Sequence, residues 1–281
     1  MKIILMHNNT PSQMMGIIIV TKGGKVIAVD GGTRGDATEF KRLVTENGGS
    51  IELWLLTHPH HDHHDTLIEL SQNKDASIKV GKVCYSPTPE NFVTTDDVST
   101  LEEIKQINAV MANPFYNTIV VNKGDIFQVD NVTVEVLRAV NPDMIPATIN
   151  DLSVVYRITE KKDDGTEFSL IILGDLYVYG GRELLELYKD NPEKLKADAV
   201  QMAHHGQSGV ELSVYEAIGA KYTFWPTPDW LWTNTPGGWE PGTGPWQTPV
   251  VRKWIENMNA EFITAMEENA VLDTDSIDTF G

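Results

Sequence analysis

Five of the eight histidines in this 281-residue chain lie within seven positions, 58 to 64, in the stretch LLTHPHHDHHD. Imidazole and carboxylate groups are the ligands that zinc, manganese and iron accept, at about 2.0–2.2 Å for zinc. Clustered imidazoles repel one another when partly charged, unless a partner takes up their lone pairs. The stretch therefore predicts a metal site, and a histidine-rich surface turn is the alternative interpretation.

The apolar run IELWLLT before the cluster predicts a strand covered on both faces. Successive side chains of a strand point to opposite faces, so His58 and His60 share a face and His61 points away. The chain then turns and brings the next aspartate and histidine to the same side, whereas His61 and His64 are expected outside the ligand set. The ligands expected from this stretch are His58, His60, Asp62 and His63.

Short apolar strands and amphipathic helices alternate along the rest of the chain, separated by turn residues. Two β-sheets packed together, with helices outside both, would bury all of these runs. No linker rich in proline, glycine or serine divides the chain before residue 226. We therefore expect an α/β (α+β) fold with four αββα layers, formed by one domain over residues 1–281.

The composition narrows the classes of function. Forty acidic residues face 22 basic ones, a formal net charge of -18, which argues against extended binding to nucleic acid. The single cysteine, Cys84, excludes an internal disulfide, and we expect it to be buried and inert. The start of the chain lacks a signal-peptide core, and no apolar run approaches the ~20 residues of a membrane span. The sequence thus predicts a cytoplasmic protein without membrane contact, and it does not indicate an oligomeric state.

The motif H-x-H-x-D-H at positions 58–63 resembles that of the metallo-β-lactamase fold superfamily. Three further matches lie along the chain in the order that the superfamily shows, one before the motif and two after it. Asp30 ends the early strand VIAVDGG, Gly174 and Asp175 end SLIILGD, and a histidine pair ends AVQMAHHG. The resemblance spans residues 30–205 and implies the αββα sandwich of that superfamily.

A finer resemblance points to the branch that contains the hydrolase domain of competence-type DNA-uptake proteins and the phosphorylcholine esterases. It rests on the segments NKGDIFQVDNVTVEVL, NDLSVVYRI, LGD and HHG, with Asn150 and Ser153 in the Asn-x-x-Ser positions. One departure is HHGQS, which is one residue longer than the typical HHGS.

The superfamily resemblance implies a role for each residue. His58 and His60 hold one metal, the next aspartate and histidine of the motif hold the other, and Asp175 bridges them. Either His204 or His205 completes the second site, and spacing alone does not choose between them. Asp30 orients the ligands through hydrogen bonds, unless it is only a turn aspartate. The predicted catalytic residues are Asp62 and His205, and the predicted metal ligands are His58, His60, Asp62, His63, Asp175, His204 and His205.

The chain departs from the superfamily at the first metal, where many members place one more histidine. No histidine lies between His64 and His204, and Asn150 and Asp151 occupy the corresponding strand entrance. An amide oxygen is a weak zinc ligand and a carboxylate a better one. We therefore expect two divalent metals, zinc first and manganese or iron as alternatives, with the first site the weaker.

These features predict a hydrolase that uses metal-activated hydroxide on a phosphodiester or a related ester, because bound metal lowers the pKa of water towards ~7. The metals and one of the two late histidines offset charge that develops on the substrate oxygens. The main alternative is a metal-binding module of the same fold without turnover. Diiron redox chemistry is a third hypothesis, disfavoured because the cluster contains no glutamate.

Five of the seven tryptophans fall between residues 225 and 246, in a loop over 225–249 rich in proline and glycine. This composition predicts neither a helix nor a long strand. Aromatic loops near a metal site form walls for apolar, sugar or cationic groups of a small-molecule substrate. The alternative is a small core under the loop, or an oligomer interface. The predicted wall residues are Trp225, Trp230 and Trp232.

Overall fold

The computed structural model describes residues 1–72, 77–88, 98–113, 116–140, 148–235, 237 and 240–277. In these ranges there are fourteen strands: Lys2–Leu5 (β1), Gly16–Val20 (β2), Val26–Asp30 (β3), Ser50–Leu55 (β4), Lys79–Tyr85 (β5), Thr118–Val120 (β6), Ile126–Val129 (β7), Val132–Arg138 (β8), Val155–Lys161 (β9), Glu167–Ile172 (β10), Ala199–Gln201 (β11), Tyr222–Trp225 (β12), Glu261–Thr264 (β13) and Ala270–Asp273 (β14). They form two seven-stranded sheets, with the orders β14-β1-β2-β3-β4-β5-β6 and β13-β12-β11-β10-β9-β8-β7.

Helices cover the outer faces of both sheets. Alternate strand residues such as Ile17 and Leu53 from the first sheet and Val134 and Ile158 from the second form one central core. Two further cores lie between each sheet and its helices. The expected four-layer αββα sandwich is thus confirmed. The helices are Ala37–Glu46 (α1), His61–Gln72 (α2), Val98–Met111 (α3), Val178–Leu187 (α4), Leu212–Ile218 (α5), Asp229–Trp232 (α6) and Thr248–Asn257 (α7).

Strand direction determines where polar side chains meet. Strands β3 to β6 of the first sheet run parallel to one another, and so do β10 to β13 of the second. The carboxyl ends of β3, β4, β10 and β11 carry Asp30, the histidine cluster, Asp175 and the His204–His205 pair. Residues that follow parallel strands share one edge of a sheet, and here the two edges meet.

The two sheets are joined at that edge by hydrogen bonds between the end of β4 and the start of β9. The backbone N–H of Val154 donates to the carbonyl of Thr57 at 2.9 Å. The hydroxyl of Tyr156, which is fully buried, donates to the carbonyl of Leu56 at 2.8 Å. The segment carrying the histidine cluster is therefore fixed against the second sheet as well as its own.

Local details agree with the sequence except in the tryptophan-rich loop. Cys84 is fully buried on β5, as expected. The loop was expected to contain no helix, yet Asp229–Trp232 form one short turn of helix that starts after Pro228. Proline cannot continue a helix but fits just before or at its first turn, so this loop tolerates one turn. Within the described residues, no helix has the length and apolar character that crossing a membrane requires.

Candidate metal centre

The first group of site residues comes from the connection between β4 and α2. His58 follows the strand, and α2 begins at His61, so that the helix turn brings Asp62 and His63 back beside His58. The ring nitrogens His58 Nε2 and His60 Nδ1 lie 3.0 Å apart. His61 instead points outward with its side chain 52% exposed, and its Nδ1 lies 3.2 Å from a carboxylate oxygen of Glu103.

Asp175 reaches the site because a glycine precedes it. Gly174 has φ +58°, and a Cβ there would lie 2.7 Å from Cβ of Thr57. Only glycine accepts both the left-handed backbone and this contact without strain. The backbone N–H of Asp175 donates to Oγ of Ser153 at 3.1 Å, which fixes the turn from the side of β9. The Gly-Asp pair is thus a geometric requirement of the place where the two sheets meet.

The turn after β11 holds two consecutive histidines in the left-handed region. His204 and His205 have φ +52° and +55°, and Gly206 follows with φ +75°. A Cβ at Gly206 would lie 2.3 Å from Cε3 of Trp225. Left-handed backbone costs a non-glycine residue about 1–2 kcal/mol. Such strain persists only where the surrounding structure holds the residue in place, and it is found most often at functional sites.

These three turns bring ligand atoms together in two groups. In the first, nitrogens of His58 and His60 and an oxygen of Asp175 all lie within 4.8 Å of one another. The second group meets the same limit and shares Asp175. All four of its members are buried, and they are Asp62, His63, Asp175 and His205.

The donor set fits divalent metals, because several of its polar atoms are buried without a hydrogen bond. These are Nε2 of His63, Nε2 of His205 and both carboxylate oxygens of Asp175. His63 Nε2 lies 3.2 Å from Asp175 Oδ1, and His205 Nε2 lies 3.4 Å from Asp175 Oδ2. Buried polar atoms are normally paired, so these four unpaired atoms within one cluster require a cation or protons between them.

Asp30 orients the cluster from behind. Its carboxylate accepts from Nδ1 of His63 at 2.7 Å and from the backbone N–H and hydroxyl of Thr57 at 2.8 and 2.7 Å. This leaves Nε2 of His63 as the ring nitrogen that faces Asp175. A carboxylate behind a ligating imidazole fixes its tautomer and raises its basicity. Asp30 therefore occupies the supporting position expected from the sequence, rather than acting as a turn residue alone.

The electrostatics of the second group favour a positive charge at its centre. Burial alone would lower the pKa of His63, but the carboxylates of Asp175, Asp30 and Asp62 raise it well above its ordinary value. Burial opposes the same effect at His205, where Asp175 and Asp62 raise the pKa to about 9. In the metal-free protein, protons on these two rings supply the positive charge.

The first group differs, because its imidazoles are neutral. Burial lowers the pKa of His58 well below the ordinary value, and the nearby charge of His63 lowers it further. Burial also lowers the pKa of His60. Neutral imidazoles offer free lone pairs to a metal ion without losing a proton first.

The structure separates the two late histidines, which spacing left open. His205 is fully buried, donates through Nδ1 to the carbonyl of Pro226 at 3.0 Å and belongs to the second group. His204 lies outside both groups of described residues, with Nε2 4.0 Å from Asp175 Oδ2 and its side chain 18% exposed. Of the two histidines, the geometry therefore favours His205 as the ligand, and this assignment stays a prediction.

The side chains of the neighbouring residues Asn150 and Asp151 also have different partners. Oδ1 of Asp151 accepts from the backbone N–H of Gly180 at 2.8 Å, in the first turn of α4. Its carboxylate is thus used within the fold. Nδ2 of Asn150 lies 3.4 Å from Nε2 of His204, so the amide borders the site.

The proposed tryptophan wall is not supported at Trp225. This ring is fully buried and packs between Trp232 and Phe262, with centroids at 5.3 and 5.4 Å. It lies in the core under the helices because β12 is an interior strand of its sheet. Trp232 packs in the same cluster and Trp230 pairs with Trp246 at 4.9 Å, so a small core under the loop accounts for these contacts. Trp239 lies outside the described residues.

Two glutamines at the site were missed by the sequence analysis. Nε2 of Gln13 donates to Oδ2 of Asp62 at 3.1 Å, and Nε2 of Gln207 donates to Oε1 of Gln13 at 3.0 Å. The loop between β1 and β2 therefore reaches over the second group and contacts the turn after β11. Glutamine is not part of the H-x-H-x-D-H motif, and only the extra residue in HHGQS marked Gln207 as unusual.

Comparison with known proteins supports the fold and not a specific relative. No protein-family model matches the sequence, and no curated protein matches it. Among solved structures, the metallo-β-lactamase fold protein YhfI from Bacillus subtilis is similar at a TM-score of 0.57 and 13% identity, covering 96% of this chain and 98% of its own. Unliganded yeast PDE1 is similar with a TM-score of 0.56 and 11% identity. The match covers 97% of this chain and 99% of PDE1. The CmlA β-hydroxylase E377D mutant is similar with a TM-score of 0.53 and 12% identity. The match covers 94% of this chain and 54% of the hydroxylase.

Because these sequence identities are low, the comparisons support the fold assignment and nothing more specific. They agree with the resemblance drawn from the H-x-H-x-D-H motif, and the finer branch stays a prediction. The αββα layers, the order of the ligand-bearing turns and the structural neighbours together lead to one conclusion. The chain has the metallo-β-lactamase fold.

Proposed function

We propose that this protein is a metal-dependent hydrolase acting on a phosphodiester or a related ester. One observation carries the proposal: ligand atoms from three separate turns, spread over more than a hundred residues, converge in two groups that share Asp175. Such convergence of buried groups with perturbed pKa values is typical of a functional site. Two divalent metals, zinc first, are the cofactors that this donor set suits.

Divalent metals supply Lewis acidity and activate water when they are bound in such a site. The protein side chains provide orientation and charge balance. His58 and His60 would hold one metal, Asp62, His63 and His205 would hold the other, and Asp175 would belong to both sites. Asp62 and Asp175 carry two negative charges, because ion pairing with His63 and His205 outweighs burial and lowers their pKa values.

His204 is the residue we assign to proton transfer. Nδ1 of His204 faces the carbonyl of Ser208, which can only accept, so Nδ1 carries the proton and Nε2 carries the lone pair. Nε2 has only long contacts with Asn150 and Gln207, at 3.4 and 3.5 Å. It is therefore available to accept a proton from the attacking water and to pass that proton to the leaving oxygen. The sequence predicted His205 as the catalytic histidine; we propose that role for His204 instead, because His205 belongs to the buried second group.

The non-hydrolytic binding module is the second candidate. It is favoured by the smaller first group, in which only two imidazoles and Asp175 meet among the described residues. The similarity to a β-hydroxylase also means that the fold alone does not distinguish hydrolysis from other reactions.

A hydrolysis panel tests the proposal. The metal-free protein and the protein loaded with zinc or manganese are assayed with bis-p-nitrophenyl phosphate, p-nitrophenyl phosphorylcholine, a lactone and nitrocefin. We expect metal-dependent hydrolysis of at least one phosphodiester, and its loss in His60→Ala and Asp175→Ala. His61→Ala is the matched control, because this exposed imidazole contacts Glu103 outside the site. No hydrolysis by the fully loaded protein would favour the binding module.

A further inference from the structure

The first group is one protein ligand short of the second. Only His58, His60 and Asp175 meet there among His, Cys, Asp and Glu residues that the structure describes, whereas the second group has four members. The segment at residues 149–152, just before β9, is the place where a further ligand is expected. We refer to it as the strap, and its two polar candidates are Asn150 and Asp151.

Hydrogen bonds fix the strap firmly. Arg138 is 1% exposed and donates to the carbonyls of Asp151 and Ser153 at 2.7 and 2.8 Å. Its Nε also donates to a carboxylate oxygen of Glu183 at 2.6 Å, so this buried cation is paired. With the carboxylate of Asp151 bound to the N–H of Gly180, the strap presents Asn150, and not Asp151, to the site.

The orientation of the Asn150 amide follows from the tautomer of His204. Because Nδ1 of His204 donates to the carbonyl of Ser208, its Nε2 is an acceptor. The amide must then turn its NH2 group towards Nε2, at 3.4 Å. Oδ1 of Asn150 is then the amide atom turned away from His204 Nε2, and it is buried and makes no hydrogen bond. A buried carbonyl oxygen without a donor requires a partner, and a metal ion is one.

We propose that Asn150 Oδ1 is the additional ligand of the first metal, taking the place of the missing histidine. The inference rests on the proposed function only in that it assumes metals occupy both groups. Oδ2 of Asp175 connects the two regions, since it lies 3.8 Å from Nε2 of His58 and 4.0 Å from Nε2 of His204. A neutral amide oxygen binds zinc weakly, so this ligand also explains unequal affinities of the two sites.

Metal titration without substrate tests the proposal. Metal-free wild type, Asn150→Ala, Asn150→His and Asp151→Asn are titrated with Zn²⁺ by calorimetry and by metal analysis after equilibration at defined free zinc. We expect Asn150→Ala to weaken one site at least ~10-fold, the lower end of the cost of losing even an outer partner, with the other site unchanged. Asn150→His should bind its first-site metal more tightly than wild type, since imidazole is the better ligand.

Asp151→Asn is the matched control. It removes the competing carboxylate but keeps an oxygen that accepts from Gly180, so both affinities should match the wild type. Wild-type titration of Asn150→Ala, or weaker binding in Asn150→His, would overturn the proposal. Loss of a site in Asp151→Asn would assign the ligand to Asp151 and also overturn it. Two-site binding with no hydrolysis of any substrate would count against the proposed function and leave this inference standing.

Discussion

Metal binding to the second group must displace protons, and its affinity should therefore rise with pH. Burial would lower the pKa of His205, but Asp175 and Asp62 raise it to about 9. The same carboxylates, with Asp30, raise the pKa of His63 well above its ordinary value. A metal accepts only neutral imidazole, so both rings lose a proton on binding. Affinity is therefore lowest in acid and increases as the pH rises towards 9.

The size of the effect follows from the pKa of His205. Each pH unit below the pKa adds ~1.4 kcal/mol to the removal of one proton. With a pKa of about 9, pH 7 lies 9 − 7 = 2 units below it, which costs ~2.7 kcal/mol or about 100-fold in affinity. His63 adds a second proton, so the affinity should change by ~100-fold per pH unit where both rings are charged.

Competition titration measures this slope. Metal-free protein is titrated with Zn²⁺ against a chromophoric chelator from pH 6.5 to 9, with correction for the protonation of the chelator. Calorimetry in two buffers of different ionisation enthalpy counts the protons released, and we expect about two for the second group at pH 7. The control is His61→Ala, which should show the same slope. An affinity independent of pH, or binding without proton release, would refute the reasoning.

Four substitutions test other parts of the account. His205→Gln should remove the second metal, whereas His204→Gln should retain both metals and slow hydrolysis by about 10²-fold or more, the range of general acid–base groups; metal content and kcat separate them. Asp30→Asn should weaken zinc binding by about 10–100-fold in the competition titration, because it loses the charge behind His63; an unchanged affinity would contradict this. Gly206→Ala should lower the free energy of unfolding by more than ~1–2 kcal/mol in urea denaturation, because its Cβ would meet the ring of Trp225 and its backbone is left-handed; wild-type stability would show that the turn adapts.

Local spacing made the first part of the site predictable. His58, His60, Asp62 and His63 lie within six positions, and the strand before them and the helix after them have clear apolar patterns. The layered fold was predictable for a similar reason, because short apolar runs bounded by turn residues need two sheets and outer helices to be buried.

The remaining site residues depend on backbone geometry that the sequence does not display. The choice between His204 and His205 rests on two left-handed residues in succession, which no propensity predicts. Asn150 and Asp151 are neighbours, and only the bonds made by Arg138 and Gly180 decide which one faces the site. Trp225 was grouped with the tryptophans of the loop, although it ends the interior strand β12 and is fully buried.

Long-range contacts account for the rest. Gln207 donates to Gln13, which lies 194 positions earlier in the chain. Neither residue carries a motif, and their contact exists only because the loop after β1 and the turn after β11 meet above Asp62. Contacts between such distant segments need the folded topology before they can be recognised.

The central claim is that distant imidazoles and carboxylates form one centre around Asp175. Anomalous diffraction from crystals of the zinc-loaded protein, collected on both sides of the zinc absorption edge, tests it most directly. The account predicts two peaks that flank the Asp175 carboxylate, one beside His58 and His60 and one beside His63 and His205. Zinc bound elsewhere, or a carboxylate of Asp175 that touches no metal, would contradict it.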